Sequence, residues 1–114
     1  MTIQSKHFTL YAGDSALLQV TTRNSDGSRV DLSGSDLFWV LSKTVSEAPD
    51  VTKDSSGNGI SVTDAEQGEF QIELVPSDTE ALSGNFYHEA ELRDPTGNEI
   101  TIFVGDLTIK KTAI

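Results

Sequence analysis

The feature that most constrains the fold is a strict two-residue alternation of side-chain character in residues 84 to 93. A glycine opens the segment, and every second position after Asn85 then carries a side chain suited to a core. Successive side chains of a β-strand point to opposite faces, so this pattern predicts a strand with one buried and one wet face. We expect Phe86, His88, Ala90 and Leu92 on the buried face, and Tyr87, Glu89, Glu91 and Arg93 on the wet face.

The same alternation recurs along nearly the whole chain, with turn signals every eight to twelve residues or so. This spacing is typical of an all-β antiparallel sandwich or barrel of about eight short strands. No helix-length segment separates any two strands, so nothing favours a parallel sheet. A chain of 114 residues suits one domain with one core, and we expect a single domain over residues 1–114 with short flexible tails at about 1–6 and 111–114.

Three segments allow more specific predictions. Residues 37 to 43 are apolar on both faces, which indicates a central strand with Trp39 in the core. Residues 77 to 82 follow a proline and contain capping side chains, which predicts one short helical turn. Ile100, Ile102 and Val104 are expected to form the strand after the turn at 94–98, with a bulge or kink at Gly105-Asp106 and Leu107 and Ile109 on the strand beyond it.

The charge and composition exclude several classes of function. The net charge is −10, and the eight basic residues are scattered, with only Lys110 and Lys111 adjacent, so we expect no nucleic-acid partner. There is no cysteine, which excludes disulfides and thiolate metal sites. The N-terminal residues lack the apolar region of a signal peptide, and no apolar run reaches membrane-spanning length. We therefore expect synthesis and first folding in the cytoplasm, and no membrane partner.

No set of residues has the pattern of a catalytic or metal centre. The two histidines, His7 and His88, are expected to be a surface and a half-buried side chain, with Glu89 and Glu91 facing away from His88. Residues 24 to 31 resemble a calcium loop, but the glycine is misplaced and the closing glutamate is absent, so a plain hairpin turn is favoured. We expect no catalytic residues, no cofactor and no metal, although bound calcium or glycan stays open.

An ordered set of motifs resembles a known family. The segments are similar to the small immunoglobulin-like β-sandwich modules of tailed bacteriophages and prophages, such as the N-terminal domain of phage baseplate upper proteins. The resemblance extends from about residue 8 to residue 110. It rests on the segments GDSALLQV at 13–20, DG at 26–27 with VDLSG at 30–34, VTDA at 62–65 with GEF at 68–70, DT at 78–79 with LSGNFY at 82–87, and GNEIT at 97–101.

The resemblance implies an immunoglobulin-like sandwich that acts as a virion structural protein, without enzymatic activity. Its partners would be other virion structural subunits, with copies of itself as a further partner. In baseplate upper proteins the module precedes further domains, whereas this sequence ends at Ile114. A stand-alone module would be a tail or baseplate component, a head–tail accessory or a capsid decoration protein. The candidate interaction surface is the wet face with Tyr87, Glu89, Glu91 and Arg93, together with the termini.

Three other functions stay open at this point. A carbohydrate- or receptor-binding module on a virion or cell surface would expose aromatic side chains, and an exposed Trp39 would stack on a sugar. A small hydrolase would bring His7 and His88 together beside a carboxylate. An acidic mimic of DNA would need its carboxylates in a duplex-like row, whereas they are spread among turns.

Overall fold

The computed structural model describes residues 4 to 113 of the chain, with side chains from Lys6 onward. It contains nine strands and one helical turn in that range. The elements are β1 (Gln4–Ser5), β2 (Phe8–Tyr11), β3 (Ala16–Thr21), β4 (Asp36–Ser42), β5 (Val51–Asp54), β6 (Ile60–Asp64), β7 (Glu69–Leu74), α1 (Pro76–Thr79), β8 (Gly84–Arg93) and β9 (Glu99–Lys110). No helix within residues 4 to 113 has the length and apolar character needed to span a membrane.

The strands form two sheets that pack face to face. The larger sheet has the order β9-β8-β4-β5, with β1 and β2 both paired along the free side of β9. The smaller sheet has the order β3-β7-β6. This arrangement confirms the predicted immunoglobulin-like β-sandwich and its short helical turn near residues 77 to 82.

One pairing differs from the expected all-antiparallel arrangement. β1 and β2 both run parallel to β9, with Phe8 opposite Leu107 and Tyr11 opposite Lys110. Parallel neighbours need a long connection, and here nearly the whole chain forms it. The expectation of no parallel pairing was wrong because it considered only strands adjacent in sequence. Residues 4 and 5 of the expected N-terminal tail thus pair with β9, and Met1 to Ile3 lie outside the described residues.

The core lies between the two sheets and follows the period-two pattern. In β8 every second side chain from Phe86 to Leu92 is at most 4% exposed. Trp39 is fully buried on the inner face of β4, which confirms its prediction as the core tryptophan. Other fully buried side chains come from both sheets and include Leu37, Leu41, Ile72, Phe103 and Leu107.

The irregular point of β9 lies elsewhere than the sequence predicted. The pairing with β8 shifts between Ala90 opposite Phe103 and Glu91 opposite Thr101, which leaves Ile102 as the extra residue. A bulge inverts the alternation beyond it, so Phe103 is fully buried and Val104 turns to the outer face. The predicted bulge or kink at Gly105-Asp106 was therefore wrong, since the pairing with β8 is regular there.

Gly105 instead marks a close crossing with the N-terminal segment. A Cβ atom at Gly105 would overlap the backbone C=O of Lys6, so only glycine fits there. The N–H of Lys6 donates to the C=O of Val104 at 3.0 Å, and the imidazole of His88 contacts the Lys6 C=O at 2.7 Å. The close approach holds the start of β2 against β9.

The helical turn α1 is linked to the larger sheet by an ion pair. Pro76 occupies its first turn, where a missing N–H costs nothing. The Asp78 carboxylate accepts a hydrogen bond from the Val75 N–H at 2.7 Å and one from Lys53 Nζ at 2.9 Å. Both charged side chains are largely shielded from water, with 10% and 18% exposure. Because Lys53 belongs to β5 and Asp78 follows β7, this pair connects the two sheets.

Candidate functional site

The outer face of β8 holds all four residues of the candidate interaction surface. Tyr87, Glu89, Glu91 and Arg93 alternate with buried side chains, so they point together to the side away from the smaller sheet. β8 lies between β4 and β9, which places this row near the centre of the larger sheet rather than at its rim. Tyr87, Glu89 and Glu91 are half-buried by their neighbours, whereas Arg93 is more exposed.

The register of the sheet adds further residues to the row. Val40 of β4 and Val104 of β9 lie on either side of Glu89, and Phe38 lies opposite Glu91. All three apolar side chains are half-buried. We call this surface the β8 face, and its members are Phe38, Val40, Tyr87, Glu89, Glu91, Arg93, Glu99 and Val104.

Arg93 is held against the sheet by two contacts. Its Nη2 atom donates to Glu99 Oε1 at 2.8 Å and its Nε atom donates to the same oxygen at 3.1 Å. Its guanidinium carbon also lies 5.1 Å from the centre of the Phe38 ring, a cation–π distance. The guanidinium therefore covers Phe38 and pairs most closely with the Glu99 carboxylate.

The carboxylates of Glu89 and Glu91 on the β8 face have too few cationic side chains beside them to balance their charge. Burial, and then the negative charges of Glu99 and Glu89, raise the pKa of the Glu91 carboxyl, although Arg93 opposes the shift. Burial, and then the charge of Glu89 and a hydrogen bond to it, raise the pKa of the Tyr87 hydroxyl. Three glutamates thus share one arginine on a partly desolvated surface. A cationic group from a binding partner would relieve this repulsion.

The histidines do not form a catalytic arrangement. His88 is fully buried, not half-buried as expected, and both ring nitrogens are engaged. Its Nδ1 accepts from the Trp39 indole N–H at 3.2 Å, which leaves the proton on Nε2 to donate to the Lys6 C=O. His7 is exposed, and its Nδ1 accepts from the backbone N–H of Asp106 at 3.3 Å. Neither nitrogen of His88 can reach a substrate in this arrangement.

Other candidate chemistries find no geometric support in the part of the chain that the structure describes. No group of three metal-ligating side chains occurs among those residues. In the segment 24 to 31, the Asp26 carboxylate accepts from the N–H and the hydroxyl of Ser28 at 2.9 Å and 2.6 Å, as in an ordinary turn. Trp39 is inaccessible to a sugar, and Tyr11, at 49% exposure, is the most open aromatic side chain that the structure describes.

The sequence pattern found part of the β8 face and missed part of it. Alternation placed Phe38 and Val40 on the face opposite Trp39, but it could not show that they lie beside Glu89 and Glu91. Val104 was missed because the bulge at Ile102 reverses the pattern before it. The pairing of Arg93 with Glu99 follows from the hairpin between β8 and β9 and could have been found from the turn at Asp94 to Asn98.

These features define an immunoglobulin-like β-sandwich with an amphipathic, acidic outer face on its larger sheet. No protein-family model matches the chain, and no curated protein matches it. Among solved structures, the chain is similar to AggA, the major subunit of aggregative adherence fimbriae type I from Escherichia coli, with 13% sequence identity and a TM-score of 0.37. The similarity covers 93% of this chain and 91% of AggA. Both the identity and the TM-score are too low to transfer a function.

Proposed function

We propose that this chain is a non-enzymatic structural subunit of a bacteriophage or prophage particle that binds neighbouring subunits through the β8 face. The observation that carries the binding surface is the row of half-buried carboxylates beside Phe38, Val40 and Val104. Interfaces combine apolar side chains with a polar rim, and the β8 face offers both on one rigid sheet. The virion context, in a tail, baseplate or head–tail position, is supported by the order of the sequence motifs.

The chemistry of the β8 face predicts the chemistry of its partner. Glu89 and Glu91 lie at the centre of the face, and the acidic residues Asp36 and Asp106 lie opposite the two ends of the β8 row. A partner with lysine or arginine side chains around an apolar patch would complement this surface. Because such binding depends on opposite charges, its affinity falls as the salt concentration rises.

Charge reversal tests the proposal directly. The chain is expressed with the product of each gene that flanks its own, and binding is measured by calorimetry at low and high salt. We expect one flanking product to bind, and the variant Glu89→Lys with Glu91→Lys to reduce that affinity at least tenfold. The control variant Glu47→Lys with Glu66→Lys makes the same charge change at exposed positions away from the β8 face and should bind as the wild type does.

Two results would overturn the proposal. Equal binding by the Glu89 and Glu91 variant and its control would remove the β8 face as the contact surface. Flanking genes that encode no particle components would remove the virion context. Binding of a host polysaccharide with an affinity that these charge reversals change would favour the carbohydrate-binding alternative instead.

A further inference from the structure

The loop between β5 and β6, which leads from the larger sheet to the smaller one, carries a side chain that can react without an enzyme. Asn58 in this loop is exposed, and Gly59 follows it. Because glycine has no Cβ atom, its backbone nitrogen can approach the side-chain carbonyl of a preceding asparagine without steric hindrance. Asparagine is among the thermolabile residues of proteins, and this approach is a route by which it reacts. The chain has four asparagines, and Asn58 is the one that glycine follows.

The side chain of Asn58 is weakly held. Its Nδ2 atom donates to the Thr52 C=O and to Asp54 Oδ2, both at 3.4 Å. These distances exceed the roughly 2.7–3.2 Å that N–H to oxygen hydrogen bonds usually have. The Asn58 backbone is held more firmly, since its C=O accepts from the Asp54 N–H at 2.9 Å. The side chain can therefore change its rotamer while the loop keeps its shape.

The turn at Asp26 and Gly27 has the same spacing, but its geometry opposes the reaction. Hydrogen bonds from the hydroxyl and the N–H of Ser28 lower the pKa of the Asp26 carboxyl, so this carboxyl stays ionised. An ionised carboxylate resists attack by a nucleophile. The Gly27 N–H, which would have to attack, donates to the Asn24 C=O at 2.9 Å. The fold thus protects Asp26 and leaves the neutral amide of Asn58 as the reactive group.

The other three asparagines are hindered by the residues that follow them. These residues are a serine, a phenylalanine and a glutamate, each with a Cβ atom beside the attacking nitrogen. Asn85 is held further, because its Oδ1 atom accepts from the Thr108 hydroxyl at 3.0 Å. Asn24, Asn85 and Asn98 therefore serve as internal controls for any reaction at Asn58.

We propose that Asn58 is a site of spontaneous deamidation through attack by the Gly59 nitrogen, and that the isoaspartate formed there loosens the loop between β5 and β6. The Gly59 N–H gives its proton to hydroxide or water, and its nitrogen forms a bond to Asn58 Cγ. The bond from Cγ to Nδ2 then breaks, and ammonia leaves. Water opens the resulting succinimide ring at either of its carbonyls, which yields aspartate or isoaspartate. The reaction consumes one water molecule and releases one ammonia molecule.

Both products disturb the loop. Either one replaces the Nδ2 donor by a negative charge beside the Asp54 carboxylate. Isoaspartate also carries the main chain through the former side-chain carbon, which lengthens the backbone by one atom. This change takes the Asn58 C=O out of the main chain and shifts the Gly59 C=O, which accepts from the Glu73 N–H at 2.8 Å. Because Glu73 belongs to β7, the attachment of the loop to the smaller sheet becomes weaker.

Ageing of the full folded chain tests the proposed site. The protein is incubated for several weeks at neutral and at mildly alkaline pH, then digested and analysed by mass spectrometry. We expect the peptide with Asn58 to gain the mass of one deamidation, and to do so faster at the higher pH because the attacking nitrogen must lose its proton. The three control peptides should change at least tenfold more slowly. Asn58→Gln should abolish the gain, since its longer side chain closes a ring less readily.

Hydrogen exchange tests the proposed loosening. Aged protein enriched in isoaspartate should exchange faster at the amides of Asp54 and Glu73 than fresh protein does. Asn58→Gln aged in the same way is the control and should keep the exchange rates of fresh protein. Asn58→Asp adds the negative charge without lengthening the backbone, so it should change the Glu73 amide less than isoaspartate does.

Three results would overturn the proposal or a part of it. An Asn58 peptide that changes no faster than the control peptides would remove the site. Unchanged exchange at Asp54 and Glu73 in isoaspartate-containing protein would remove the loosening. Asp26 should isomerise in urea and not in the folded chain, and equal isomerisation in both would remove the protection of that turn. The experiments need no binding partner, so their outcome is independent of the function proposed for the β8 face.

Discussion

The indole N–H of Trp39 donates a hydrogen bond to Nδ1 of His88 across 3.2 Å, and both side chains are fully buried. The bond joins β4 to β8 inside the core, and His88 in turn donates to the Lys6 C=O of the N-terminal segment. Phe8 and Phe103 also pack on the imidazole, with ring centres 5.6 Å and 5.1 Å away. A polar side chain thus connects three parts of the sheet without leaving an unpaired group.

The buried His88 makes the stability of the fold pH-dependent. Burial lowers the pKa of His88, although its hydrogen bond to Lys6 opposes the shift. The unfolded chain therefore binds a proton at a higher pH than the folded chain, and the free energy of unfolding falls as the pH drops below about 6.5. We expect a slope of at most about 1.4 kcal/mol per pH unit, measured by urea denaturation across a pH series.

His88→Gln should remove this slope, because no titratable group then remains in the core. His7→Gln is the matched control and should keep the slope, since His7 lies in water. A wild-type stability that does not change between neutral pH and the onset of carboxylate protonation would contradict the neutral, buried state of His88.

Trp39→Phe should destabilise the fold through the loss of one N–H donor. The ring of phenylalanine occupies most of the same space, but His88 Nδ1 loses its donor. An unpaired buried acceptor costs about 1–3 kcal/mol, to which a small cavity adds. Denaturation followed by circular dichroism measures the change in the free energy of unfolding.

Tyr87→Phe, which removes a hydroxyl at the half-buried outer face, should change stability by less than about 0.5 kcal/mol. Equal effects of the two substitutions would argue against the buried hydrogen bond.

Gly105→Ala should displace the N-terminal segment from β9. The added methyl group would occupy the position of the Lys6 C=O. The backbone of Gly105 is not in the left-handed region, so alanine adds no conformational strain of its own. The substitution therefore tests only the close contact between Gly105 and Lys6. We expect a destabilisation of about 1–3 kcal/mol, the typical cost of overpacking. Hydrogen exchange should become faster at the backbone amides of β2. Thr101→Ala on the same strand serves as the control. If Gly105→Ala left the hydrogen-exchange protection of β2 unchanged, the contact between Gly105 and Lys6 would not hold the N-terminal segment on β9.

Lys53→Met should weaken the connection between α1 and the larger sheet. The substitution leaves the shielded Asp78 carboxylate with the Val75 N–H but without its cation. Removing one partner of a fully buried pair costs about 3–5 kcal/mol, and the residual exposure here should reduce that to about 1–3 kcal/mol. The double variant Lys53→Met with Asp78→Asn should recover part of the loss, as measured in a double-mutant cycle. An additive cycle would mean that the ion pair contributes no coupling energy.

Tyr87→Ala combined with Arg93→Ala should impair binding to a neighbouring subunit while the fold stays intact. The two changes remove the aromatic ring of Tyr87 and uncover Phe38 on the β8 face. Both side chains lie on the outer face of β8, so the core is unchanged. We expect a melting temperature within a few degrees of the wild type, since exposed ion pairs contribute about 0–1 kcal/mol. Calorimetry with the bound flanking product gives the affinity. Wild-type affinity in this variant would place the contact away from this end of the β8 face.

The alternation in residues 84 to 93 was sufficient to predict the faces of β8. The same argument misplaced the irregular point of β9 at Gly105-Asp106, because it could not show that Ile102 is the extra residue in the pairing with β8. It also failed for β1 and β2, since their pairing with β9 joins the two ends of the chain. Local pattern therefore predicts which residues can share a face, but register depends on the neighbouring strand.

By itself, the sequence determined that this chain forms short strands around an apolar interior containing Trp39, because a period of two is a property of adjacent residues. Only the tertiary structure decided that Trp39 meets His88, 49 positions away, and that Lys6 meets His88, 82 positions away. The same holds for the crowding of carboxylates on the β8 face. Contacts between distant residues depend on how the strands are ordered in each sheet, and no local pattern of residues encodes that order.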